Sequence, residues 1–278
     1  MNIGVIGANG FIGRNLCLKY IQLGHKVYAF YKTNYESIPK ECVLCPTQKF
    51  PSMEWSHMSD LDCLFVSMGN YYSSHRDFLN QLSLLQTFGI KLRYKKLIFI
   101  SSTAVYGEHK DTIHVNSSYN NPREYGMAKL AQEFLIMLKE NYTIIRPTYI
   151  YGTGMDKKSL LPILLKAAIT DKKITIIGNK DRCQDYLHID DLTELCYKIS
   201  IKNNNHSMVL AASGKSITNI ELANMICKYL PDTTLCFEDG MYSPSFNFYI
   251  TDSIQNFNWN PNYSIENWIK NEINNYER

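Results

Sequence analysis

Ile3-Gly4-Val5-Ile6-Gly7-Ala8-Asn9-Gly10-Phe11-Ile12-Gly13-Arg14 decides the fold. Residues 3–7 form an apolar run of strand length, and residues 10–23 carry helical spacing. Three glycines therefore stand at a strand-to-helix turn, and each has a physical task. One makes the sharp turn, one lets backbone approach a pyrophosphate, and one lets the helix lie against the strand. An anion at that place meets unpaired N–H groups and the positive end of the helix dipole. Gly7, Asn9, Gly10, Phe11, Ile12 and Gly13 are candidate dinucleotide-binding residues, with Arg14 beside them as added positive charge. A glycine pattern alone is weak evidence; its place between strand and helix gives it meaning.

Outward from this turn, strand and helix alternate. Strands are predicted over 26–31, 41–44, 62–68, 97–101 and 142–146, the last stopped by Pro147. Helices are predicted over 78–88 and 124–140. Continuous apolar strands between helices imply an α/β fold, a Rossmann-type doubly wound parallel sheet covered on both faces. Beyond residue 150 the elements shorten, with helices expected at 159–169 and 189–201 and a strand at 208–211. The expected organisation is a dinucleotide-binding domain over 1–150. A smaller, mainly substrate-binding portion follows over 151–278, interleaved with the last part of the sheet. Asn203-Asn204-Asn205 reads as compositional bias in a loop.

Composition narrows the partners. The 278 residues carry 29 basic and 26 acidic side chains, a net charge of +3. That balance gives no reason to expect nucleic acid or a membrane surface. No apolar run reaches the roughly 18–20 residues a bilayer span needs. The first residues lack a basic region ahead of an apolar one, so a cytoplasmic location is expected. The 8 cysteines are scattered, and the pair Cys42 and Cys45 has no second pair at zinc-binding spacing. They read as core thiols. His57, His75, His109, His114 and His188 show no metal-ligand spacing, so no metal is expected.

The end of the second strand reports on the cofactor ribose. An acid there accepts from the 2′-hydroxyl of NAD, and a base favours the 2′-phosphate of NADP. This chain has Tyr31 and then Lys32, which points to NADP, with NAD as the alternative. The strand over 97–101 runs into Ser101-Ser102-Thr103-Ala104-Val105-Tyr106-Gly107, and ligands bind at such C-terminal strand ends. Then comes Tyr125-Gly126-Met127-Ala128-Lys129, with Tyr125 and Lys129 on one helical face. A phenol with a pKa of about 10 is a poor acid–base catalyst at neutral pH. A nearby ammonium stabilises the phenolate, and the same Lys129 can reach the nicotinamide ribose. Ser102 orients the substrate oxygen, so a carbonyl–carbinol oxygen sits between Ser102 and Tyr125 while hydride moves.

The GxxGxxG spacing resembles the short-chain dehydrogenase/reductase superfamily, and Gly7 to Gly13 resembles its extended branch. Nearly end to end, the chain resembles the nucleotide-sugar epimerase/dehydratase family. Asp62-Cys63-Leu64-Phe65-Val66-Ser67-Met68-Gly69 resembles the strand that passes under the cofactor, which implies Met68 and Gly69 as contacts, and Asn80 matches in the following helix. Ile145-Arg146-Pro147-Thr148-Tyr149-Ile150-Tyr151-Gly152 resembles the family's RPxxVYG segment and implies Tyr149 at the sugar pocket. Asp185-Tyr186-Leu187-His188-Ile189-Asp190-Asp191-Leu192 resembles its RDFVHVDDL segment. The resemblance implies a nucleotide-sugar substrate and a homodimer built on the helices at 78–88 and 124–140.

Departures from the family pattern refine the expectation. Dehydratases of the family place Asp-Glu where this chain has Thr103 and Ala104, so dehydration is not expected and Thr103 becomes a substrate contact. The phosphate-pairing Arg of the family is Gln184 here, and Arg182 lies two residues earlier as the replacement candidate, with Lys180 second. Tyr31 stands where NAD-binding members carry Asp. The leading expectation is NADP-dependent reduction of a 4-keto-6-deoxy nucleotide sugar. The rival is an NAD-dependent nucleotide-sugar 4-epimerase. A third reading, a non-catalytic NADP-binding regulator, leaves the joint presence of Ser102, Tyr125 and Lys129 unexplained.

Overall fold

Along β1 (Asn2–Ile6), Ile3 and Val5 face one side and Ile6 the other. The same alternation runs through β2 (Lys26–Tyr31), β4 (Leu61–Val66), β5 (Tyr94–Ile100) and β6 (Tyr142–Pro147). Ala29, Phe65, Ile98 and Ile145 join one cluster; Phe30, Leu64, Phe99 and Ile144 join the other. Strands buried on both faces read as unbroken apolar runs, which is the signature of a parallel sheet.

The computed structural model describes residues 1–47, 60–69, 73–202, 207–241 and 244–276. His57 and Asn203 to Asn205 lie outside them. With β3 (Val43–Pro46) and β10 (Ser207–Ala211), the main sheet has 7 parallel strands in the order β10-β6-β5-β4-β1-β2-β3. Against one face lie α1 (Phe11–Gln22) and α5 (Ile189–Ile201), through Leu16, Cys17, Tyr20, Leu192, Leu195 and Ile199. Against the other lie α2 (His75–Lys91) and α3 (Glu124–Met137), through Leu85 and Ile136. The strand order reverses between β1 and β4, and in open α/β sheets that reversal opens a ligand crevice at the strands' C-terminal ends.

The later part of the chain adds a separate apolar cluster. It is built from β7 (Tyr149–Tyr151), α4 (Leu160–Thr170), β8 (Lys173–Ile177), β9 (Cys183–His188), β11 (Ser216–Thr218), α6 (Asn219–Tyr229), β12 (Thr234–Glu238) and α8 (Ile265–Tyr276). The sequence reading missed β7, β8, β9, β11 and β12. They form a 3-stranded sheet, β11-β9-β7, and a 2-stranded one, β12-β8. The predicted strand over 41–44 is found two residues later, as β3. A last short helix, α7 (Thr251–Phe257), sits by the sheet edge, where Ser253 Oγ donates to the Leu210 carbonyl at 2.7 Å. Buried Lys96 on β5 donates to the carbonyls of Ile199 at 2.8 Å and Lys202 at 2.9 Å, closing the end of α5 with positive charge. Among the described residues no helix is long and apolar enough to cross a membrane.

Candidate active site

The glycine turn is dictated by backbone crowding. Gly7 has φ +81°, and a Cβ there would stand 2.2 Å from the Ser67 carbonyl oxygen. A Cβ on Gly13 would stand 2.1 Å from the Gly7 carbonyl oxygen. Those two positions admit no side chain. Gly10 is different: it opens α1, no side chain caps that end, and no acid lies in the first turn. The N–H groups of the first turn are left to receive an anion. Gly7 N–H and Ala8 N–H donate to the Phe30 carbonyl at 3.0 and 3.1 Å, which locks the turn to β2.

A groove of about 780 Å³ runs from this turn across the sheet's C-terminal edge. Its walls include the predicted Gly7, Asn9, Gly10, Phe11, Ile12, Lys32, Met68, Gly69, Ser102, Tyr125 and Tyr149. The structure thus brings most of the expected residues to one cavity. It does not bring all of them: Lys129, expected at the nicotinamide ribose, is buried and is not among the groove walls. Gly13 packs beneath the turn. Arg14 donates to the Gly154 carbonyl and lies over the Phe11 ring at 5.4 Å, away from the groove wall. Thr103 is buried in a 3-10 turn, Thr103–Tyr106. The guanidinium of Arg182 donates to the Pro244 carbonyl at 2.9 Å and to Gln184 Oε1 at 2.8 Å, so its hydrogen bonds go to its own chain.

The groove also holds residues that the sequence reading did not single out. Ser101 and Thr148 line it at the ends of β5 and β6, and Asp77 and Gln81 line it from α2. The rule that places ligands at the C-terminal ends of parallel strands would have found the first two. Asp77 is held by Ser74, whose N–H and hydroxyl donate to it at 3.1 and 2.7 Å, and Lys32 adds to the lowering of its pKa.

Ser102, Tyr125 and Lys129 are set by close packing of α3 on the 3-10 turn. A Cβ on Gly126 would stand 2.2 Å from the Ala104 carbonyl oxygen, so only glycine lets the helix approach this closely. Ser102 caps the 3-10 turn, accepting from the Ala104 N–H at 3.1 Å. Burial pushes the Tyr125 hydroxyl up to about 12, and a hydrogen bond with Ser102 acts the other way. Lys129 is 2% exposed; its ammonium donates to the carbonyls of Met68 at 2.7 Å and Ile100 at 3.0 Å. Burial pushes Lys129 down to about 7, and the nearby Glu133 carboxylate opposes that. The sequence reading expected Lys129 to lower Tyr125. Burial outweighs any such pull: the Lys129 ammonium is turned to the two carbonyls, 6.0 Å from the centre of the Tyr125 ring.

The segment around His188 is structural. Asp185 accepts from Ser213 N–H at 2.8 Å, Ser213 Oγ at 2.9 Å and Lys215 N–H at 3.2 Å, and burial pushes its carboxyl up to about 6 against the pull of those bonds. Asp191 accepts from the N–H groups of Asn262 and Tyr263 at 3.0 and 3.1 Å, tying down the C-terminal segment. His188 accepts from the Asp190 N–H at 3.2 Å and stacks on Tyr263 at 4.3 Å.

Residues 3–211 match the sequence profile of the NAD dependent epimerase/dehydratase family. GDP-6-deoxy-D-talose 4-dehydrogenase of Aggregatibacter actinomycetemcomitans is 21% identical over 239 residues, 82% of this chain and 80% of that protein. dTDP-4-dehydro-6-deoxyglucose reductase of Escherichia coli is 26% identical over 189 residues, 63% of this chain and 59% of that one. In fold, the chain is similar to UDP-glucuronic acid 4-epimerase from Bacillus cereus, solved with UDP-glucuronic acid and NAD. The TM-score is 0.85 at 19% identity, over 100% of this chain and 99% of that one.

Proposed function

The chain belongs to the NAD dependent epimerase/dehydratase family, and on that premise we propose that it reduces the 4-keto group of a nucleotide-activated 6-deoxy sugar with a hydride from NADPH. It is an NAD(P)-dependent enzyme of nucleotide-sugar chemistry. The cofactor fits the residues present. Gly7 and Gly13 admit no Cβ, the first turn of α1 carries no capping side chain and no acid, and the groove lies within the usual range of ligand sites. Gly7, Gly10 and the first turn of α1 would hold the pyrophosphate, and Met68 and Gly69 the part that crosses the sheet edge. When bound, the cofactor supplies the hydride.

The observation that carries the choice of NADPH is Lys32. It lines the groove at the end of β2, directly after Tyr31, where an acid would favour the free ribose. The protonation state of Tyr125 supports reduction. A hydroxyl with its pKa near 12 is protonated at neutral pH, and a protonated hydroxyl can give a proton to a carbonyl oxygen. Ser102, in hydrogen-bond contact with Tyr125, orients that oxygen, and Lys129 offsets the charge left on the phenolate. Thr103 and Ala104 offer no carboxylate for eliminating water. The proposal includes a homodimer built on α2 and α3, where Leu79, Met127 and Phe134 stand exposed.

Asp77 favours a second reading. It lines the same groove within electrostatic reach of Lys32, and an acid there suits an unphosphorylated ribose and an NAD-dependent 4-epimerase. Fluorescence titration of the purified protein with NADPH and with NADH separates the two. The reductase reading expects tighter NADPH binding, weakened at least about tenfold in Lys32→Ala with NADH unaffected, the worth of one charge-assisted contact. Preference for NADH in the wild type overturns it in favour of the epimerase.

A further inference from the structure

Glu133 stands one helical turn beyond Lys129 on α3, 0% exposed. Both of its carboxylate oxygens are engaged. Oε1 accepts from Ser101 Oγ and from Arg146 Nε at 3.0 Å, and Oε2 accepts from Arg146 Nη2 at 2.7 Å. Arg146, on β6, is 1% exposed; its Nη2 also donates to Tyr119 OH at 2.7 Å, and the guanidinium lies 4.9 Å from the Tyr106 ring centre. Ser101 is the neighbour of Ser102. Ile100, one residue earlier, carries a carbonyl that receives the Lys129 ammonium. One carboxylate therefore joins α3, the end of β5 and β6, the elements on which the site is built. Packing alone does not call for this arrangement, since apolar residues in place of a buried ion pair are often as stable or more so.

We infer that Glu133 is a positioning residue of the active site: it fixes Ser101, and with it Ser102, and is the counter-charge facing Lys129. This rests on the reading of Ser102, Tyr125 and Lys129 as the reacting groups. Burial alone drives Lys129 toward the neutral amine, and Glu133 opposes it. The titratable and charged groups around Lys129 are Tyr125 and Glu133 on α3, Arg146 on β6, Tyr106 in the 3-10 turn, and Tyr119 against Arg146. From α2, His75 pairs at 3.3 Å with Glu124, at the exposed start of α3. The ends of β4 and β5 present the Met68 and Ile100 carbonyls, and β5 the Phe99 ring. Within this set Tyr125 is neutral at physiological pH, so Glu133 is the negative charge that opposes loss of the ammonium's proton. Lys129 needs its positive charge to stabilise a phenolate.

The test is the ionisation of Lys129 itself, read from the ¹³Cε resonance of lysine-labelled full-length protein and assigned by its loss in Lys129→Arg. In Glu133→Gln the midpoint is expected to fall by about one pH unit or more, the usual effect of losing an adjacent opposite charge. In Ser101→Ala, which keeps the carboxylate, it stays in place. An unmoved midpoint in folded Glu133→Gln overturns the inference. Should Glu133→Gln fail to fold because Arg146 is stranded, the midpoint in Glu133→Gln/Arg146→Met is read against that in Arg146→Met, so that only the carboxylate differs, with the same two outcomes. The measurement needs no substrate, so the two failures are distinguishable. A lowered midpoint together with full turnover in Tyr125→Phe sinks the functional reading. An unmoved midpoint together with lost turnover in Tyr125→Phe sinks only the role of Glu133.

Discussion

Burial keeps the Tyr125 hydroxyl protonated, and its edge on the groove places that proton where a carbonyl oxygen can take it. Tyr125→Phe keeps the ring and removes the proton. The expected outcome is unchanged NADPH affinity and a loss of turnover of about 10²–10⁴-fold, the usual worth of a positioned general acid. Full turnover, followed by cofactor absorbance, would sink the proposed role. Lys129 makes a separate prediction about stability. Its pKa is pushed down from 10.5 to about 7, so the unfolded chain binds its proton more tightly than the folded one. The resulting cost is full below the folded value and fades as pH rises toward the unfolded value. Lys129→Met should therefore melt above the wild type at about pH 6, with the gap closing at alkaline pH. The Met68 and Ile100 carbonyls lose a donor in that variant, which trims the gain without reversing its pH trend. Thermal unfolding across pH checks it; a gap that does not change with pH contradicts the depressed pKa.

At the scale of elements, the β1 turn and α1 separate two uses of glycine. Gly13→Ala sets a Cβ against the Gly7 backbone, and neither partner can swing aside. It is expected to cost about 1–3 kcal/mol, as overpacking does. Gly10→Ala meets its nearest atom at 3.3 Å and has φ −76°, which any residue adopts. It should leave the melting temperature nearly unchanged and still weaken NADPH binding, because that is where backbone must approach the pyrophosphate. Equal melting temperatures for the two variants would contradict this division of labour. The turn was legible in the sequence because Gly7 and Gly13 are required by local backbone geometry. The same holds for β1, β2, β4, β5 and β6, which are buried on two faces and read as apolar runs. It fails for β7, β9 and β11, where three-residue strands such as Tyr149–Tyr151 and Ser216–Thr218 exist only through partners far along the chain. Site residues divide in the same way. Ser102, Tyr125 and Lys32 lie at strand ends or on a helix that the pattern places. The hydrogen bonds of Arg182 and the orientation of the Lys129 ammonium depend on carbonyls supplied by distant segments, Pro244 and Met68, which no local pattern reveals.

At the scale of the whole molecule, the helix that carries Tyr125 and Lys129 has its opposite face uncovered. Met127 and Phe134 are seven residues apart, two helical turns, and are 61% and 59% exposed; Leu138, just past the helix end, is 79% exposed. Leu79 on the neighbouring α2 is 67% exposed. Such a cluster on paired helices is unusual on a monomer surface and suits a two-fold contact in which each copy presents the same patch. In the proposed homodimer the inward face of α3 carries the chemistry, and the outward face is held by the partner. Pairing then limits the movement of α3 against the 3-10 turn, on which the Ser102–Tyr125 contact depends. Met127→Glu/Phe134→Glu puts charge on that face without touching the groove. Sedimentation should find the wild type dimeric at micromolar concentration and the variant monomeric, with its dichroism spectrum retained. NADPH affinity should stay near the wild-type value, because the groove walls belong to one chain, whereas turnover should fall as α3 loosens. A wild type that sediments as a monomer removes the dimer. A monomeric variant with full turnover keeps the dimer but removes its link to the chemistry.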